Sequence, residues 1–512
     1  DHPDLPDLQR IMDTPIRLTR VTDGYVAPRS DAPAATRELR LNEMPQLPEP
    51  QLYGSAVRYL NQRLVQAFND AGLIGIFVAP HPDDISNSGE DVRPESQTAL
   101  RIAVQAGTVS EVRSVASGNR FPVEDRINHP KHQEVRDDSP VQPTDVAEEG
   151  ESTDLLRKDK LDRYVYWLSR HPTRRVDVSV APGEDPGTTT LDLLVSESKP
   201  WIVYAQGSNT GTEQTSVWRE RFGFVHNQLT NNDDILSLDY ITANFEDSHT
   251  FLGSYEAPLF DAERLRWRVE GLYNQFTASD VGFADEEFTG DSWYVGGELI
   301  WNFWQQDQSF LDLVAGVRWQ NVRVDNQIIN VEGESDFFLP RVGLRYERTT
   351  QTMTSRGEVT YEANLPGVAD TEEEELTKLG RIDADDDSMR LTWSLFQSFY
   401  LEPLLFGQDW KNAETWRSST LAHELALNVR GQVVLGERRT IPQAQRTAGG
   451  LYTVRGYDES TAVGDNAVIL SAEYRFHLPR ALAPNPEPGN LFGRPFRWRP
   501  PSPRGRPDWD LI

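Results

Sequence analysis

The sequence predicts two small α+β modules in tandem, followed by an all-β transmembrane barrel of antiparallel strands. Three observations carry this. Before Ser198, helical and strand periods mix, and one order of strand, helix, strand, turn and strand occurs twice. After Ser198 the apolar period is two for about 300 residues, without a convincing helix. The later strands often reach ten or more residues, the length a tilted strand needs to cross a bilayer. Their polar faces are rich in Arg and Glu, which suits a wet lumen better than a second packed sheet.

An N-terminal extension, 1–13, precedes the first module, 14–107, which opens with a strand at about Ile16–Val26. Val57, Leu60, Leu64, Phe68 and Ala71 then recur at three- and four-residue spacing, one apolar helix face, and Gly72 stands where that helix stops. Leu73–Val78 is an apolar strand, and Leu100, Ile102 and Val104 alternate as another, running into Gly107. In the second module, 108–198, Val109–Val115 is the opening strand and Thr153 or Asp154 offers a helix N-cap. Leu161, Val165 and Leu168 mark the helix face, which ends before Pro172. Val176, Val178 and Val180 alternate, a turn spans Pro182–Gly187, and Leu191, Leu193 and Val195 alternate again. The acidic stretch 132–152 between opening strand and helix reads as a solvated, flexible insertion.

The barrel region, 199–512, begins with shorter strands at Trp201–Ser208, Val217–His226, Ile235–Phe245 and Thr250–Ala257. Alternating faces follow at Leu265–Tyr273, Trp293–Phe303, Leu311–Trp319, Phe338–Tyr346, Gly357–Leu365, Leu391–Phe399 and Leu421–Val429. With Ala467–Phe476 the count is twelve. Pro479–Arg506 is rich in Pro and Arg and reads as a connection, and Asp508–Ile512 as the start of a thirteenth strand. On this reading the sequence stops inside the barrel, and its start at Asp1 is a processed one.

Composition removes several classes. There are no cysteines, so disulfides and Cys-based metal or redox sites are excluded. A net charge of −29 argues against nucleic acid, whose phosphates need a basic surface. No run of 18 apolar residues exists, which excludes helical spans but not a barrel, whose strands face lipid with alternate residues. Thirteen Trp, 16 Tyr and 21 Phe fit aromatic girdles at the membrane interfaces. Asp383-Ala-Asp385-Asp-Asp387 resembles the start of a calcium loop, but Ser388 and Ser394 stand where Gly and Glu are needed, so it reads as a hydrated loop. His81-Pro-Asp-Asp84 lacks a second His at ligand spacing and reads as a turn. No catalytic motif, phosphate loop or metal site is expected.

The most specific signal is Leu451-Tyr-Thr-Val-Arg-Gly-Tyr457, placed between the eleventh and twelfth strands. With Gly464-Asp465-Asn466, Glu473-Tyr474-Arg475 and the two preceding modules, it resembles the outer-membrane assembly and secretion superfamily. More narrowly it resembles the two-partner-secretion transporters (TpsB; haemolysin-activator, ShlB/FhaC/HecB type). The resemblance implies that the modules are polypeptide-transport-associated (POTRA) domains and that the complete barrel has sixteen strands. It also implies that a loop at about 436–466 folds back into the lumen. Carried over, Arg455 anchors that loop beside Val454, Gly456 permits its tight backbone, and Tyr457 packs on the inner wall. The family's acidic partner for the Arg lies on the thirteenth strand, so it is expected to be missing here. Asp1–Thr14 is too short for the family's lumen-plugging helix and linker.

The function so implied is capture of an unfolded secreted exoprotein in the periplasm and its export through the barrel, in outer-membrane lipid. The chain would act as a monomer without cofactor or nucleotide. An alternative from another class is a factor that inserts other barrels into the outer membrane. Two modules rather than a longer array favour secretion.

Overall fold

The computed structural model describes the chain apart from residues 1–3, 30, 48–50, 87, 95, 123, 125, 149–150, 260–261, 280–286, 327–329, 370 and 412–419. It divides into two compact units, Asp1–Lys199 and Pro200–Ile512.

The first unit starts with a short helix, α1 (Leu8–Met12), capped by Asp7, whose carboxylate accepts the Gln9 N–H at 2.9 Å. The strand expected over Ile16–Val26 is a hairpin, β1 (Pro15–Val21) and β2 (Gly24–Val26). β1 pairs on its other side with an unforeseen β3 (Thr36–Arg40). The break falls at Asp23-Gly24, a turn dipeptide that apolar counting passes over. Ile16, Leu18 and Tyr25 close a core with Leu41, Ala56 and Leu60, the last two from α2 (Gly54–Asp70).

Gly72 ends α2 at φ +86°, a left-handed conformation that favours glycine. The Leu73 N–H donates to the Phe68 carbonyl at 3.0 Å and the Gly72 N–H to Asn69 at 2.9 Å, the two bonds of a Schellman cap. β4 (Ile76–Pro80) and β5 (Ile102–Ala106) pair with each other as a separate two-stranded sheet. Between them the His81–Asp84 turn is pinned by Asp84, fully buried, whose carboxylate accepts Arg101 Nη2 at 2.6 Å.

β6 (Thr108–Gly118) opens the second half of this unit. Residues 132–152 are not the expected flexible insertion, though 149–150 lie outside the described residues. They begin with α3 (Gln133–Asp137), whose Val135 enters the core, and Val141 is fully buried. His132 Nε2 lies 3.0 Å from one oxygen of buried Glu197, and Arg120 donates to the other at 2.7 Å. The acidity of the stretch masked two apolar anchors and the partner of an interior carboxylate.

The following helix, α4 (Lys158–Leu168), starts later than the Thr153/Asp154 cap predicts. Leu155 and Leu156 are buried, and Leu155 and Arg157 are held in β-bridges to Thr108 and Leu73, so the chain cannot turn helical earlier. Leu161, Val165 and Leu168 are the buried face, as the spacing requires. Val165 and Leu168 pack on Val176 of β7 (Arg174–Pro182) and Leu193 and Val195 of β8 (Thr188–Glu197). The strands lie in the order β6-β8-β7, with β6 parallel and β7 antiparallel to β8.

The second unit is one meandering antiparallel sheet of twelve strands, the twelve that alternation picks out. They are β9 (Trp201–Ser208), β10 (Arg219–Asn227), β11 (Ile235–Ala243), β12 (Ser248–Leu259), β13 (Ala262–Ser279), β14 (Glu287–Gln306), β15 (Ser309–Asn326), β16 (Val331–Thr349), β17 (Met353–Ala363), β18 (Met389–Tyr400) and β19 (His423–Val434). After a small separate pair, β20 (Arg446–Ala448) and β21 (Ala462–Gly464), comes the twelfth, β22 (Ala467–Phe476). The edges are β9 and β22, and among the described residues nothing pairs them into a closed barrel. Asp508–Ile512 is not a strand. It folds back on the foot of β22, where the Leu478 N–H donates to the Leu511 carbonyl and Arg480 Nη2 to Asp510 at 2.6 Å.

The outer face fits lipid. Phe222, Tyr240, Phe251, Tyr273 and Trp293 lie in one register row across β10 to β14. Along β14, Trp293, Val295, Gly297, Leu299, Trp301 and Phe303 share this face. Those ten steps cover about 33 Å of strand, or about 25 Å after a tilt near 40°, the height of a barrel's apolar band. β13 to β16 run 18 to 20 residues, so their hairpins extend past that band.

Candidate functional site

The opposite face of the sheet is charged. Arg266, Arg268 and Glu270 on β13 alternate with outward Trp267 and Val269, and the same parity turns Glu298, Arg318, Arg341, Arg345, Glu358, Glu362 and Arg390 inward. Arg341 reaches Glu298 at 2.9 Å and Glu270 at 2.7 Å. Glu270 is three strands away, about 14 Å on a flat sheet, so these side chains converge over a concave face. Arg318 bonds Glu362 at 3.0 Å, Arg390 bonds the same carboxylate, Arg345 meets Glu358 at 3.5 Å and Arg266 meets Glu256 at 2.6 Å. The result is a ladder of paired charges from β12 to β18.

Onto this face folds the connection 435–466. At its base the Asn466 side chain accepts the Val434 N–H at 2.7 Å. The Ala444 carbonyl accepts Arg390 Nη1 at 3.2 Å and Gln432 Nε2 at 2.9 Å. Farther on, Arg430 donates to the Tyr452 carbonyl. At the tip Arg455 pairs with Glu473, which also accepts Arg475 Nη2 at 2.8 Å. Glu473 lies six residues along β22 from Ala467, about 20 Å down the strand. The loop therefore runs down most of the strand's length on the concave side.

Among the four motif residues, Arg455 makes the side-chain contact. Its partner is on the twelfth strand rather than the expected thirteenth: Glu473, at an inward position that alternates with outward Tyr474 and Ala472. Gly456 sits at φ +91° with open space around it, so conformation rather than crowding favours glycine. Tyr457 does not pack on the wall but is 64% exposed, held through its carbonyl, which accepts the Gly450 N–H at 3.1 Å. Val454 is also exposed. No cluster of three or more metal-ligating side chains occurs among the described residues.

A lipid-compatible strand sheet with a charged inner face is the architecture of an outer-membrane β-barrel protein. The chain belongs to the haemolysin secretion/activation protein ShlB/FhaC/HecB family, whose model matches residues 187–488. It is 21% identical over 181 residues to the heme/hemopexin transporter protein HuxB of Haemophilus influenzae (strain 86-028NP). That match takes in 35% of this chain and 32% of HuxB, so it spans about a third of that relative. Among solved structures, CdiB from Escherichia coli shares the fold at a TM-score of 0.56 and 14% identity, over 86% of this chain and 74% of that one. CdiB from Acinetobacter baumannii aligns at 0.48 and 16%, over 85% and 70%.

Proposed function

We propose that this protein is an outer-membrane translocation pore that exports an unfolded exoprotein, gated by the loop 436–466 with its Val454-Arg455-Gly456-Tyr457 tip. The observation that carries the reading is the path of that loop, about 20 Å down a concave face lined with charge. A loop there obstructs any conduit that the concave face lines. Residues 14–107 and 108–198 act as periplasmic POTRA modules. The sheet order β6-β8-β7 supports this, because it leaves β7 as an edge strand to which an extended client can add by main-chain hydrogen bonds without demanding one sequence. Membership of a secretion family and the transporter name of HuxB favour export over barrel insertion. Neither nucleotide nor cofactor takes part, and client folding outside drives the transfer.

The test is single-channel conductance of the full-length protein in planar bilayers, wild type beside Arg455→Ala. Discrete pores whose closed times shorten in the variant support the gate. Identical pores reduce Arg455 to an ordinary loop position, and no pores at all overturn the conduit. In cells, depletion that strands one exoprotein in the periplasm supports secretion, whereas a general fall in outer-membrane barrels makes the protein an insertion factor.

A further inference from the structure

The connection 364–388, between β17 and β18, meets the loop 435–466 in a set of contacts that join residues 51 to 84 positions apart. Arg381 grips Asp465 with both guanidinium nitrogens at 2.6 Å and donates to the Thr440 carbonyl at 2.6 Å. The Thr440 hydroxyl donates to the same carboxylate at 2.6 Å. Arg438 grips Asp387 in the same two-pronged way at 2.7 Å. The backbones are tied as well: the Asp385 N–H donates to the Arg439 carbonyl at 2.8 Å, and the Arg439 N–H to the Asp385 carboxylate at 2.6 Å. The acidic run 383–387 thus binds a neighbouring loop.

Both connections share one seat. Leu376 of α5 (Glu373–Lys378), Leu379 and Ala384 bury with Ile441 of the other loop against Val322 and Val324 of β15 and Phe337 and Leu339 of β16. Gly333 on β16 lets α5 approach, since a Cβ there would stand 2.6 Å from Lys378 Cβ. The register row through Trp293 runs on to Asn321 and Asp336, so this seat lies at the level of the aromatic belt.

We infer that the two connections form a single lid at the membrane surface, latched by Arg381 and Asp465, and that the loop 435–466 leaves the concave face only when this latch opens. The inference rests on the conduit reading and adds the residues that hold it shut. Arg381 and Asp465 are positioning residues: they act through the lid and need not touch a client. A two-pronged pair that exists only in the closed state shifts the open population when it is lost.

The test is open probability in planar bilayers for the full-length protein carrying Arg381→Asp, Asp465→Arg, or both. Each single reversal is expected to raise the open-to-closed ratio roughly tenfold, equivalent to about 1.4 kcal/mol. The double exchange is expected to recover at least half of that change, which loss of folded protein cannot imitate. Folding is checked independently by the heat-dependent gel mobility of each variant. Reversals that gate like wild type, or an exchange that gates like the singles, overturn the latch and leave the conduit standing. A wild type that forms no pore overturns both.

Discussion

Glu197→Gln, in the N-terminal unit, tests whether the second module is built around an interior carboxylate. Glu197 is 1% exposed, His132 2%, and the Arg120 side chain 7%. Removing one member of such a set leaves its partners desolvated, which costs about 3–5 kcal/mol. Glutamine keeps the shape and one acceptor, placing the loss near the lower end, about 3 kcal/mol. In a unit of this size each kcal/mol moves the melting midpoint by about 2–4 °C, so a fall of roughly 10 °C is expected. The assay is thermal unfolding of Asp1–Lys199 by circular dichroism, with full-chain limited proteolysis as a second readout. Glu111→Gln, whose pair with Arg113 is 4.0 Å long and exposed, is the control and stays near wild type. A fall of less than about 2 °C for Glu197→Gln would refute the argument. Acid gives a further check. Burial works to raise the Glu197 carboxyl, but the His132 hydrogen bond and the charges of Arg120, His132 and Arg174 outweigh it and hold it below its ordinary value. The stabilisation is therefore complete above the ordinary glutamate range and is lost as pH falls through the lowered value.

Leu299→Arg puts a charge midway between Trp293 and Phe303, where the cost at a bilayer midplane is about 2–4 kcal/mol. The fraction assembled in liposomes should drop, and assembly equal to wild type would mean that this face does not meet lipid. Gly333→Val should lift α5 and speed tryptic cleavage after Lys378, and an unchanged rate would contradict the close packing. The latch should also be acid-labile. Burial raises the Asp465 carboxyl, but hydrogen bonds from Arg381 and Thr440 bring it from 3.8 to about 2. Its contribution, roughly 2 kcal/mol, is full above about pH 4 and disappears as pH falls through about 2. Channel opening should follow that window, and a transition centred near pH 6 would point to a histidine instead.

The sheet was legible because half-buried strands announce themselves residue by residue: Trp293 to Phe303 alternate whatever lies beside them. The α4 face and Gly72 were readable for the same local reason. What failed depended on partners distant in sequence. Nothing near Ile16 reveals that Thr36–Arg40 lies beside it, and Leu155 cannot show that a bridge to Thr108 delays the helix. The acidic stretch 132–152 looked solvated because Glu197, its buried counterpart, is 65 residues away from His132. At the site, the Arg-Gly-Tyr tripeptide stood out, but the partner of Arg455 was expected on a thirteenth strand rather than at Glu473. The Arg381–Asp465 pair spans 84 residues between two loops that carry no periodic pattern.

The charged ladder of the concave face, as traced from Glu256 to Arg390, holds six arginines and five glutamates, although the chain as a whole carries −29. The wall is a zwitterion. On the proposed export reading, a polypeptide moving along it meets counterions of both signs from β12 to β18. A surface of near-balanced charge favours neither acidic nor basic segments. On that reading, the choice of cargo is made before the chain reaches the concave face.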